Sequence, residues 1–462
     1  MKKALSGLLL GSLLLLLPQV AGAAAYFYVD PDASGSRNGS AANPWQSLAD
    51  SGAWTAVNNA LATDDVVVYF SARQAGSDTD QTTTSGLTVA RSNTSTHRLT
   101  LTGMDKWNTN DASPSWADYN GSSRFKITGG PSAAFLYMPD DDYVTLRGFK
   151  VVSNGSPEHV AQVAGSHVII EWCDISGMST ASMFQFRYAI DSSGSCDDIT
   201  IRNNVFHDGY KELLYFGGCQ NEDRYGHTNI RILDNHIYNS TGDGLDIKDG
   251  NRYITVRGNI VHDNNGDGIV SHSAYLAEKN RVYNNGGRGI HHSNMWGRRE
   301  DTHNGDIWRN NLIYGNRGES IVIKNNSSNP APRNARIYNN TCYNAGGSNV
   351  SISSGVYDVY VQNNICYQSG SSNISISASG TVVNDHNYTQ NPSFVNVAAG
   401  DFSLQPGSPC IDAGVALTGF ADDFRGASRP SGAGWDIGAY EYTTGSQPVP
   451  PPPPTGLTVT PE

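Results

Sequence analysis

Four phrases in the middle of the chain carry the residue types that acid–base and metal chemistry need. Residues 241–248 read TGDGLDIK, 266–272 GDGIVSH, 287–293 GRGIHHS and 319–324 ESIVIK. Each has a small or polar lead-in, then an apolar residue, then alternation. If Leu245, Ile269, Ile290 and Ile321 point inward from short strands, the residue after each points outward, as does the one two further on. The outward columns then read Asp246, Val270, His291, Val322 and Lys248, His272, Ser293, Lys324, and the turn residues two before the apolar position read Asp243, Asp267, Arg288, Glu319. Extending the alignment through Phe184, Leu214, Val350 and Ile374 adds Ser182 and Glu212 on one side and only serines beyond Lys324. Lys248, His272, Arg288, His291 and Lys324 are therefore candidate catalytic residues. Asp243, Asp246 and Asp267 are candidate metal ligands. Like charges one strand apart must bind a cation or raise a pKa, and Ca2+ takes several carboxylate oxygens.

Columns of this kind need a solenoid to position them. An "N-x-[IVLC]-[YH]" phrase recurs at Asn204, Asn235, Asn259, Asn280, Asn311, Asn340 and Asn364, at intervals of 31, 24, 21, 31, 29 and 24 residues. That period, with short alternating runs and no helical pattern between them, predicts a β-solenoid whose coils cannot bury their apolar faces alone. The expected fold is all-β, a right-handed parallel β-helix of three strands per coil. The seven asparagines are expected to form a hydrogen-bonded ladder at a turn, and His207, His236 and His262 beside them are expected to be structural. Residues 47–62 are expected to form a helical cap with Ser47 as N-cap, covering the first coil as an open solenoid end requires. Residues 66–70, VVVYF, follow as the first buried strand.

The chain is 462 residues long with formal net charge −12 and only 16% charged residues. Its acidity argues against nucleic acid, which selects basic faces. Residues 1–23 combine MKK, a Leu-rich run and AGA, the pattern of a signal peptide cleaved after about Ala23. No other stretch approaches the ~20 apolar residues of a membrane span, so a secreted mature chain without a membrane span, acting as a monomer, is expected. Residues 24–442 form the β-helix domain on this reading, 443–454 a proline-rich linker, and 455–462, TGLTVTPE, resemble the start of a fibronectin-type-III module. Six cysteines fit an oxidising compartment. Cys342 and Cys366 hold equivalent places in NNTCY and NNICY, as a stacked inward pair or a disulfide. Cys196 and Cys219 are a second candidate pair.

The opening YVDPDASGS and NPWQSL, residues 28–36 and 43–48, resembles the N-terminal cap of secreted β-helix proteins of the pectate-lyase superfamily. The closing DFSLQPGSPCIDAG, DDFRGASRP and WDIGAYEY resemble the terminal segment of bacterial surface and secreted β-helices. Three enzyme families are echoed on the central face. GDGLDIK followed by NNGDGIV is similar to the calcium-site coils of family nine pectate lyases. There Asp243 and Asp267 match, Val270 stands where an Asp is expected, and His291 or Lys324 would replace the lysine base. Lys248 matches the lysine of family six lyases, with His272 where arginine would stand. STGDGLD, GDG, GRG and VIK follow the order seen in polygalacturonases, with Gly266 and Arg288 replacing an Asp and a His.

These resemblances imply a polysaccharide lyase that uses calcium to β-eliminate an acidic, uronate-containing substrate. A lyase must remove the C5 proton and neutralise the adjacent carboxylate. Lys248, with Arg288, His272 and His291 nearby, is the favoured base if its pKa falls, and the carboxylates oppose that fall unless a cation neutralises them. The alternatives are a polygalacturonase-type hydrolase using paired carboxylates and a non-catalytic carbohydrate-binding surface.

Overall fold

The computed structural model describes residues 24–71, 82–84, 86–91, 96–103, 125–128, 136–139, 141–153, 157–186, 196–217, 226–294, 303–326 and 330–443. The segment expected to be a signal peptide, the proline run, the expected fibronectin-like start, Arg187, Cys219, residues 107–123 and most of 294–304 lie outside the described residues.

Among the described residues the chain winds into three parallel sheets of 13, 11 and 11 strands, and each full coil contributes one strand to each sheet, the first and last coils adding a strand to the 13-stranded sheet alone. Sheet I runs from Ala25–Val29 to Ser379–Asp385, sheet II from Leu87–Thr88 to Ile374–Ile376 and sheet III from Thr82–Thr83 to Ile365–Ser369. Strands of two to seven residues suffice because only their alternate residues enter a narrow interior. In sheet III the inward column runs Val151, Ile175, Phe206, Ile237, Val261, Val282, Ile313, Cys342 and Cys366, all fully buried. Each such aliphatic or aromatic side chain contributes about 1.5–3 kcal/mol when removed from water. The Cys342–Cys366 pair is a stack of buried free thiols within this column, not a disulfide.

The turn from sheet I to sheet III repeats one device. A left-handed residue precedes each ladder asparagine: Asn203, Asp234, Gly258, Lys279, Asn310, Asn339 and Asn363 all have φ between 51° and 70°. Asn, Asp and Gly tolerate that region best. Lys279 is the exception, and its ammonium is anchored 2.5 Å from Asp422. The asparagines form the expected ladder. Asn204 Nδ2 donates to Asn235 Oδ1, and the same bond repeats through Asn259, Asn280, Asn311, Asn340 and Asn364 to Asn387, at 2.9–3.0 Å. Each Nδ2 also donates to a backbone carbonyl, as Asn280 does to Val256 at 2.8 Å. A second ladder, Asn264–Asn285–Asn316, stands at the next turn.

The cap differs in detail from the sequence expectation. The helix is Ala53–Ala60, shorter than 47–62, and Gly52 in the left-handed region starts it without a side-chain cap. Residues 47–52 instead form turns, in which Ser47 Oγ accepts from the Ala49 amide. Its buried face, Ala53 and Val57, joins the main core. At the other end, Phe394, Phe402, Leu404, Cys410, Ile437 and Tyr440 pack on Leu312 and Ile365. A fully buried Arg429–Glu441 pair at 2.6 Å ties this segment together, and Arg429 also donates to Asn310 Oδ1. Among the described residues no helix is long and apolar enough to cross a membrane.

The outer face of sheet III carries an aromatic column. His207, Tyr238, His262, Tyr283 and Tyr314 stack ring on ring with centroids 4.6–5.2 Å apart. Burial pushes the His207 imidazole down, but the hydrogen bonds it donates to the Asp174 and Asp208 carboxylates outweigh it and lift its pKa to about 9.

Two outcomes test this account. Asn280→Ala removes its own bonds and leaves the Asn259 amide and Val256 carbonyl without their partner in a dry interior. At about 1–3 kcal/mol per buried unsatisfied group, chemical unfolding should show a loss of several kcal/mol, and a loss below ~1 kcal/mol would refute the ladder's role. For His207 the folded pKa lies above the unfolded 6.5, so its contribution is full below pH 6.5 and disappears as pH rises through 9. Melting temperature should therefore fall between pH 6.5 and 9 in the wild type and show a flatter slope in His207→Gln.

Candidate functional site

Sheet II positions the central phrases. Its register places Gln162, Gln185, Tyr215, Asp246, Val270, His291, Val322, Ser351 and Ser375 in one column, and the inward apolar residues Phe184, Leu214, Leu245, Ile269, Ile290, Ile321, Val350 and Ile374 in the column beside it. Ser293 pairs with Lys324. The outward column is not a solvated face: Asp246 is 1% and His291 6% exposed, and Val270 and Val322 are buried between and beyond them.

Two charge clusters occupy this strip. In the first, carboxylate oxygens of Glu212, Asp243 and Asp246 lie within 4.8 Å of one another. Burial pushes Asp243 up to about 6 and Asp246 up to about 7, although the Lys248 ammonium pulls Asp246 the other way. Lys248 forms an ion pair with Asp246 and lies 5.6 Å from the Tyr215 ring centroid. Asp246 Oδ1 is buried without a hydrogen-bond partner. His272 Nε2 is 3.9 Å from it, too far to bond, while His272 Nδ1 donates to the Ser293 carbonyl at 2.8 Å. Burial, aided by the Lys248 charge, lowers His272 to about 3.

The second cluster centres on Asp267. Its Oδ2 accepts from His291 Nδ1 at 3.0 Å and from Arg288 at 3.3 Å, and its Oδ1 accepts from the Arg288 amide at 2.6 Å. Arg288 also reaches Glu319 at 3.2 Å. Burial works to raise the Asp267 carboxyl, but these bonds and charges hold it below the usual range. Burial lowers the His291 pKa despite Asp267, so the ring is neutral at neutral pH. With Nδ1–H on Asp267, Nε2 carries the lone pair, and it is buried without a partner.

The structure thus brings Lys248, His272, Asp243 and Asp246 together in one group and Asp267, Arg288 and His291 in another. The clusters touch where the Asp267 amide donates to Asp243 Oδ1 at 2.6 Å. Lys324 lies one coil beyond Ser293, and its charge acts on His291. Two sequence expectations shift. Asp267 neighbours Asp243, but its carboxylate faces Arg288 and His291, and Glu212 takes the third place beside Asp243 and Asp246. Its position in the turn column, one coil before Asp243, was the available signal. Lys248 does not have a lowered pKa: burial acts downward, but the Asp246 charge and hydrogen bond outweigh it and raise the pKa.

The residues present fit a hard divalent cation. Three converging carboxylates with one orphaned buried oxygen supply hard oxygen donors, and only Lys248 offsets their charge within the group. Sequence reading also missed an interior chain beneath the strip. His292 points inward by alternation, with Nδ1 2.5 Å from Asp306 and Nε2 3.2 Å from His303. All three are fully buried.

A family model described as "Right handed beta helix region" matches residues 133–297. A pectate lyase, plyB, of Emericella nidulans is 29% identical over 122 residues, 26% of this chain, and the match spans 36% of that protein's length. Among solved structures, pectate lyase Pel9A is similar over 92% of this chain and 98% of its own at 16% identity, with a TM-score of 0.47. The Azotobacter vinelandii mannuronan C-5 epimerase AlgE4 A-module is similar over 79% of this chain and 100% of its own at 12% identity, with a TM-score of 0.32. The coil architecture makes the chain a right-handed parallel β-helix, and the family model places such a region within it at residues 133–297.

Proposed function

We propose that the protein is a secreted polysaccharide lyase that cleaves an acidic, uronate-containing chain by calcium-assisted β-elimination on the outer face of sheet II. The observation that carries the reading is the Asp267–His291 pair, with an unpartnered His291 Nε2 two strands from the Asp246 carboxylate. Two strand spacings are roughly 10 Å, the scale of one bound sugar unit with its carboxylate. The stretch of similarity to a protein named pectate lyase supports the same substrate class.

In this reading His291 Nε2 accepts the C5 proton, the C5–H electrons form the C4–C5 double bond, and the glycosidic oxygen at C4 leaves with the C4–O bonding pair and takes a proton from solvent water. Asp267 fixes the tautomer and stabilises the imidazolium once it forms. Arg288, held between Asp267 and Glu319, keeps the Asp267 carboxylate in place and adds positive charge. Lys248, held as an ammonium by Asp246, acts as a cation facing the substrate carboxylate and not as the base. Lys324 adds to the positive potential at His291. Glu212, Asp243 and Asp246 would hold Ca2+, which when bound neutralises the substrate carboxylate and the developing enolate charge.

One observation favours a second reading. A buried carboxyl with a pKa near 7, as at Asp246, can serve as the general acid of a glycoside hydrolase. The products separate the two: elimination raises ultraviolet absorbance from unsaturated ends, whereas hydrolysis yields new reducing ends without that rise.

On polyuronates with Ca2+, the wild type should produce the absorbance rise, and His291→Gln should lose about 10²–10⁴-fold in kcat/KM while remaining folded. The acidic limb of the pH profile should fall below 6.5, because the His291 pKa is lowered. A Lys248 base would instead place its limb above 10.5. Retained activity in His291→Gln would remove this base from the mechanism. Chelation should abolish activity, and Ca2+ should raise the melting temperature. Glu212→Gln or Asp246→Asn should weaken Ca2+ binding about tenfold or more, as expected when a charged ligand is lost. Asp267→Asn should leave Ca2+ affinity nearly unchanged, and an equal loss there would restore Asp267 to the ligand set.

A further inference from the structure

The outer face of sheet III holds a histidine pair that the groove chemistry does not use. His236 opens the strand His236–Ser240, and His262 closes the next, Ile260–His262. Their rings come together beside Tyr238, with His236 and His262 centroids 4.9 Å apart. The Nε2 atoms face each other at 2.7 Å. His262 Nδ1 lies 2.7 Å from the Asp263 carboxylate, which can only accept. Nδ1 therefore carries the His262 proton and Nε2 carries the lone pair, so the single proton between the rings belongs to His236.

We propose that His236 and His262 form a binding site for a borderline divalent transition-metal ion such as Zn2+ or Cu2+, on the face away from the carboxylate groove. Imidazole nitrogen suits these ions, whereas oxygen donors suit Ca2+. Two nitrogens at 2.0–2.1 Å from a tetrahedral metal lie roughly 3.3 Å apart, so the rings need to part by only about 0.6 Å. On binding, the shared proton moves to His236 Nδ1 and both Nε2 lone pairs converge on the ion. The Asp263 carboxylate is the outer partner that metal-binding histidines commonly have, and it orients the ring without touching the metal. Among the described residues no third His, Cys, Asp or Glu joins this pair in a ligand cluster, so water completes the coordination. Parallel pairing locks the backbones of the two strands in register, His236 with Ile260 and Tyr238 with His262. Stacking of Tyr238 and Tyr283 against His262, at 5.2 and 4.6 Å, holds its ring upright.

The test uses the full chain saturated with Ca2+ at pH 7.5. Calorimetric titration with ZnCl2 should show one equivalent bound with a dissociation constant on the order of micromolar. His236→Gln and His262→Gln should each weaken it at least tenfold, whereas His291→Gln should not change it. Electron paramagnetic resonance of the wild type with one equivalent of Cu2+ should show coupling to two nitrogens, a readout that does not depend on any variant folding. Absence of saturable binding would overturn the proposal. So would binding indifferent to both outer-face substitutions, binding that follows His291→Gln, or a Cu2+ spectrum without two nitrogen ligands.

Discussion

Every property of this molecule depends on one constraint: successive coils pair in parallel register at a single strand spacing. Backbone hydrogen bonds supply the spacing but do not by themselves choose the register. The asparagine ladder does, because each Nδ2 reaches both the next coil's Oδ1 and a backbone carbonyl of the preceding coil. A slip of one residue would break every rung and turn an apolar column outward. The left-handed residue before each rung sets the bend, so coil length can vary from 21 to 31 residues between rungs while the ladder stays continuous. Variable loops can then be inserted without disturbing the columns.

Given the columns, burial decides the protonation of the ionisable groups on the sheet II strip. The same strip places carboxylates beside imidazoles and cations, yet their protonation differs from one coil to the next. Asp246 and Asp243 are pushed up because desolvation outweighs their partners. Asp267 is held down because His291 and Arg288 both bond it. Neighbouring aspartates thus shift in opposite directions on one strip. The interior His292–His303–Asp306 chain shows the opposite arrangement, ionisable residues fully enclosed and bonded to one another.

The remaining faces stabilise the coil. Exterior aromatic rings on sheet III stack edge-out, and the terminal segment covers the end of that stack through Tyr314–Phe402 contact at 4.8 Å. The segment is fastened through the buried Arg429–Glu441 pair and its bonds to Asn310 and Asn339. It thus closes the flank of sheet III, while the Ala53–Ala60 helix joins the core at the opposite end of the coil.

The sequence by itself determined the solenoid, the ladder and the outward columns, because in a parallel coil alternation and repeat spacing translate directly into position. Asp246, Val270 and His291 could be aligned before any coordinates, and so could Cys342 with Cys366. The capping helix was legible as an element but not in its bounds, because turn geometry at Gly52 replaced the side-chain cap expected of Ser47. Only the tertiary structure decided how the aligned groups divide. Whether Asp267 faces Asp243 or His291, whether Lys248 gains or loses basicity, and whether Glu212 completes the carboxylate group all turn on side-chain direction and desolvation. Those depend on the three-dimensional surroundings of each side chain, which a column of letters does not contain.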